Sequence, residues 1–130
     1  MAIRVVRLGS PRVPGEGLCL GTVRRPPRGV PKAEFASRDF YDVWLPEVAP
    51  SEALVKAAQQ ARDRPAGWPS FVRRYRTEMR QPAASHALDL LAALSRVCEL
   101  SVGCYCVDES RCHRSVLRDM LAERGAQLVG

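Results

Sequence analysis

The chain has no long hydrophobic run, and none of its apolar stretches approaches the ~20 residues of a membrane-spanning helix. It also lacks an apolar leader, because Met1-Ala-Ile-Arg-Val-Val-Arg7 carries two arginines where a signal peptide is uncharged. These two absences argue against a membrane partner and predict a cytoplasmic location. No internal repeat or low-complexity linker interrupts the 130 residues, so a single domain, 1–130, is expected. At this length a chain buries roughly two-thirds of its unfolded surface, so folding needs neither a metal nor disulfides. Five cysteines are an odd number in a chain without an export signal, which favours reduced thiols. Cys19 and Cys98 read as packing residues.

Charge is present but unevenly spread. Up to Arg38, eight basic residues face only Glu16 and Glu34, a surplus of six that equals the net charge of the whole chain. The remaining residues therefore sum to zero. A surplus confined to the N-terminal third attracts a phosphate-bearing or otherwise anionic partner.

The element pattern alternates between sheet and helix signals. Ile3–Leu8 is rich in β-branched residues and ends at Gly9-Ser-Pro, which predicts a first strand. Leu18–Val23 predicts a second. Arg24-Arg-Pro-Pro-Arg-Gly-Val-Pro-Lys32 is a stiff basic loop, since its three prolines remove backbone donors and fix φ. Phe40–Leu45 suits a strand or an extended segment. Ser51 is positioned to cap a helix running to about Arg64, and Pro69 suits the first turn of the next. In that second helix Phe71, Val72, Tyr75 and Met79 form the apolar stripe, with Arg73, Arg74, Arg76 and Arg80 on a solvated face. A third helix is expected over Ala83–Val97, with His86 a surface or capping residue. Leu100–Val107 predicts a buried strand; Val116, Leu117, Met120 and Leu121 mark a fourth helix, and Ala126–Val129 suits a short final strand. The sum is a single three-layer α/β domain, mainly a parallel sheet with helices on both faces.

Arg25-Pro-Pro-Arg-Gly-Val30, Trp44 followed by Ala49-Pro-Ser51, Phe71-x3-Tyr75 and Cys106-x5-Cys112-His-Arg114 together resemble the bacterial family known as domain of unknown function 488, in its YeaO-like branch. The resemblance spans about Ile3 to Leu121. It implies a small α/β fold with a family-wide site near these motifs, and no established reaction.

The strand-turn-helix junction at Glu99–Leu121 holds three cysteines and one of the two histidines. A helix starting near Cys112 presents unpaired N–H groups and a positive dipole end, which suits an anion. On that reading Arg28 and Arg25 from the basic loop join Arg114 and Ser115 around a small anionic or phosphorylated ligand. In an enzymatic version, a hydrolase or transferase, Cys112 is nucleophile or anion contact, His113 acid/base and Glu109 the orienting or general-base carboxylate. The Cys112-x5-Arg118 spacing of phosphatases is discounted, because Val116 and Leu117 belong to a helical stripe. No cofactor is called for. Two other readings stay open: a zinc site through Cys104, Cys106, Cys112 and His113, and nucleic-acid binding by the Arg24–Lys32 loop, near which the sequence shows no stacking platform beyond Phe35 and Phe40.

Overall fold

The structure is a computed structural model that describes residues 1–129. Five strands, β1 (Ile3–Arg7), β2 (Leu18–Gly21), β3 (Val43–Trp44), β4 (Leu100–Cys104) and β5 (Leu128–Val129), form one all-parallel sheet in the order β3-β2-β4-β1-β5. Ile3 and Leu18 both lie opposite Leu100, which places the alternate residues Ile3, Val5, Leu20, Leu100 and Val102 on one face. Helices α1 (Glu52–Gln60), α2 (Gly67–Glu78) and α3 (Pro82–Leu94) connect β3 to β4, and α4 (His113–Glu123) connects β4 to β5. All four bury their stripes against that face: Leu54, Phe71, Tyr75, Leu88, Leu91, Leu117 and Leu121 join Ile3, Leu100 and Val102 in one cluster. Each fully buried leucine there contributes on the order of 1.5–3 kcal/mol.

The single α/β domain with a parallel sheet is as expected, but helices on both faces are not found among the described residues: all four lie on one face, and the opposite face is covered mainly by loop. Cys19 and Val6 point the other way, against Phe35, Phe40 and Tyr41, and this layer holds a single 3-10 turn, Lys32–Glu34. Gly21 makes the close approach possible, because a Cβ at that position would run into the Tyr41 ring. Among the described residues no helix is long and apolar enough to cross a membrane.

Helix boundaries follow local chemistry. The Ser51 hydroxyl accepts a hydrogen bond from the Leu54 N–H at 3.1 Å, as an N-cap should, and itself donates to the Glu78 carboxylate at 2.5 Å. Helix α1 stops at Gln60 rather than near Arg64, since Pro65 disfavours helix in the residue before it and the chain turns over residues 61–66. Helix α3 likewise ends at Leu94, three residues short of Val97, and His86 on it is exposed.

Strand β4 ends at Cys104 instead of Val107. The Leu8 N–H bonds the Cys104 carbonyl at 2.8 Å, after which Gly9, at φ +87°, turns its chain away and leaves β4 without a neighbour to pair with. That early end frees Tyr105 and Cys106 to bend over the tip of the sheet.

Candidate functional site

The junction after β4 is a tight fold-back. Asp108 caps a one-turn 3-10 helix, Glu109–Arg111, by accepting from the Ser110 N–H at 3.0 Å, and Cys112 then starts α4. The result is that Cys104 at the strand end, Cys106 in the turn and Cys112 at the helix start converge, with their three sulfurs within 4.8 Å of one another. The Cys104 and Cys112 sulfurs are 2.9 Å apart, and the Cys106 N–H donates to Cys104 Sγ at 3.3 Å. All three are free thiols; Cys104 and Cys112 are buried, whereas Cys106 is exposed.

This asymmetry divides the protons among them. Hydrogen bonds from Cys104, then from Cys112, together with the charge of Arg114, hold the Cys106 thiol far below its ordinary range. Cys104 is pushed up by its contacts with Cys106 and then with Cys112, and because burial penalises a charge there. Cys112 is lowered, chiefly through its contact with Cys104 and further by His113. The arrangement favours the thiolate at the accessible Cys106 and the protonated thiol at the buried Cys104.

His113 and Arg114 brace the cluster from the first turn of α4. The Nε2–H of His113 donates to the Thr22 carbonyl at 2.7 Å, which leaves the Nδ1 lone pair facing Cys112 Sγ at 3.9 Å. Its ring stands edge-on to Tyr75, with centroids 5.7 Å apart, and the Tyr75 hydroxyl is in turn held by the Val48 carbonyl at 2.5 Å. Arg114 is only 3 % exposed. It donates from Nη2 to the Cys106 carbonyl at 2.6 Å, and its buried Nε has no hydrogen-bond partner among the described residues.

In front of the thiols lies a pocket of about 280 Å³, lined by Val23, Arg24, Arg25, Pro50, Glu52, Val55, Gln59, Cys104, Tyr105, Cys106 and His113. Arg24 forms its rim by donating to the Ala49 and Pro50 carbonyls, both at 3.0 Å, and Arg25 pairs with Glu52 across the mouth. A broader cleft of about 990 Å³ adjoins it, sharing Arg24, Arg25, Glu52 and Tyr105 and adding Arg28, Phe40 and Trp44.

The candidate residues therefore fall into three groups. Cys112, His113 and Arg114 are together, joined by Cys104 and Cys106, and Arg25 reaches the same pocket. Arg28 lines only the outer cleft and does not meet Arg114, which is buried beneath the Cys106 carbonyl. Glu109 and Ser115 are turned to other tasks: Glu109 binds Arg118 at 3.0 and 3.3 Å, and the Ser115 hydroxyl donates to the Cys112 carbonyl at 3.0 Å. Thr22, which orients His113 through a backbone carbonyl, carries no sequence signal at all. Tyr105 does carry one, an aromatic held between two cysteines; its hydroxyl donates to the Arg25 carbonyl at 2.9 Å.

For a metal, the three cysteines are the one group among the described residues with suitable spacing, and His113 Nδ1 is the adjacent nitrogen. The donor set suits a thiophilic cation such as Zn²⁺. An all-parallel α/β domain with a cysteine–histidine–arginine cluster at the carboxyl end of a central strand is the class these features define. Over residues 3–125 the chain matches the family DUF488-N3a, described as the active DUF488-N3 subclade, and it belongs to that family. Neither a curated protein nor a solved structure matches it.

Proposed function

We propose that the pocket takes a small anionic or phosphorylated ligand and that Cys106 acts on it as a nucleophile, making the chain a thiol-dependent transferase or hydrolase. The observation that carries this reading is the convergence of three sulfurs beside the pocket, with Cys104 and Cys106 in its wall and Cys106 alone exposed. In the reaction the Cys106 thiolate forms a bond to the electrophilic centre while the bond to the leaving group breaks. The leaving group takes the proton of the Cys104 thiol, which lines the pocket. Water or a second acceptor then displaces Cys106 and returns its proton to Cys104, whose sulfur lies 2.9 Å from that of Cys112. Arg25, released from Glu52, faces the ligand's charge, and buried Arg114 holds the Cys106 loop. The description of the subclade as active is in keeping with such chemistry.

Mass-spectrometric mapping after brief iodoacetamide treatment at neutral pH tests the nucleophile. Cys106 should label well ahead of the other four cysteines; labelling no faster than free cysteine would remove it. Calorimetry with inorganic phosphate tests the ligand class, and an Arg25→Ala chain that binds phosphate as the parent does would count against it.

A second reading rests on the same sulfur spacing, which also suits a metal–thiolate centre with His113 as the fourth donor. Elemental analysis of the purified chain separates the two. A bound equivalent of zinc, with Cys106 alkylated only after a chelator is added, favours metal over nucleophile.

A further inference from the structure

The pocket is the innermost of three connected hollows. Tyr105 stands between it and the 990 Å³ cleft, and Trp44 stands between that cleft and a third hollow of about 650 Å³ that reaches Lys32. Both dividing rings are held in place: the Trp44 Nε1–H donates to the Val23 carbonyl at 2.7 Å, and Tyr105 is bound through its hydroxyl to Arg25 and lies edge-on to Phe40 at 6.2 Å. Trp44 nevertheless remains 42 % exposed. The two acids in the outer hollows are already neutralised, Glu52 by Arg25 and Asp42 by Arg12. Arg28 and Lys32 are exposed on the loop and make no ion pair among the described residues.

We propose that this run of hollows is a track for single-stranded nucleic acid, with unpaired bases against Trp44 and Tyr105 and the phosphates beside Arg28 and Lys32. Pre-set aromatic rings alternating with unpaired positive charge fit a strand whose bases are free to stack. A duplex has its bases already stacked on each other, and an acidic peptide would leave the rings without partners. A single phosphate would occupy only one of the three hollows. Four of the eight basic residues before residue 39, Arg24, Arg25, Arg28 and Lys32, lie on the loop that builds the track's basic wall. This inference rests on the pocket reading for what happens at the strand's inner end, where Cys106 would meet a nucleotide; binding along the track does not need the thiol.

Fluorescence anisotropy with a short labelled single strand of mixed sequence tests it on the full chain. Saturable binding that weakens with added salt is expected. Trp44→Ala should weaken it by roughly tenfold or more, the loss of one base–aromatic stack. Arg28→Ala and Lys32→Ala should each lower the salt slope by roughly 0.7, one phosphate apiece. Arg73→Ala, on the exposed face of α2, should bind as the parent does. Cys106→Ser should also bind normally, so that failure of the thiol chemistry and failure of the track are told apart. Absence of saturable binding overturns the proposal, as does equal binding of duplex or of polyglutamate. Unchanged affinity in a Trp44→Ala chain of native circular dichroism overturns it as well. If that variant loses its native spectrum, Arg28→Ala on its exposed loop decides: an unaltered affinity and salt slope reject the track.

Discussion

His113 Nε2 lies 2.7 Å from the Thr22 carbonyl oxygen, and this one hydrogen bond ties the start of α4 to the end of β2 across the tip of β4. It fixes the imidazole so that Nδ1 faces Cys112. Because Thr22 takes part through its main chain, no substitution at Thr22 removes the acceptor, and the bond is open to test only from the histidine.

His113→Ala should therefore destabilise the fold by about 1–3 kcal/mol, the cost of leaving a buried carbonyl unpaired and a ring-sized gap beside Tyr75. Urea unfolding followed by circular dichroism measures it. His113→Gln, which can still donate toward Thr22, should recover part of the loss.

The alkylation rate of Cys106 should have an unusual pH profile. An ordinary thiol slows as the pH drops below about 8.5. Hydrogen bonding from Cys104 and Cys112, with the charge of Arg114, draws Cys106 down to about 3. Its rate should stay level through neutrality and decline only in acid, read by iodoacetamide labelling across a pH series. The sign for stability is the same: the thiolate's contribution is complete above the ordinary thiol value and is lost as pH falls toward the depressed one.

Arg114→Ala removes a buried charged donor from the Cys106 carbonyl and a positive charge from beside its sulfur. A loss of about 1.5–3 kcal/mol in unfolding free energy is expected. The lower end of the Cys106 labelling profile should move to higher pH in the same variant, an effect that a purely structural role for Arg114 would not produce.

Gly21→Ala tests the loop layer. An added methyl group would collide with the Tyr41 ring, which has no space to retreat because Tyr41 is itself buried. A cost of about 1–3 kcal/mol is expected for overpacking, read by thermal unfolding.

The helices were legible from side-chain spacing because their signals are local. Val116, Leu117, Met120 and Leu121 are all buried, as their 3.6-residue pattern requires, and Ser51 caps α1 as its type and position suggest. Where β4 ends was not legible, since it depends on Gly9 turning away in a strand ninety residues distant in the chain. The grouping of Arg28 with Arg114 failed for a related reason. The loop's path is set by Arg24 gripping the Ala49 and Pro50 carbonyls, which holds Arg28 over the outer cleft rather than over α4. The same path brings Trp44 and Tyr105 to the loop, two rings that the neighbouring sequence, with only Phe35 and Phe40, does not announce.

The strand order also bears on how the protein is made. Strand β1 sits between β4 and β5, so its partners in this sheet begin only at Leu100. On the ribosome it must wait, unpaired, until β4 has been translated, and such long-range pairing closes slowly. Ile3–Arg7 is thus a segment in need of shielding during synthesis, and Arg4 and Arg7 provide some of that protection by keeping the waiting strand soluble.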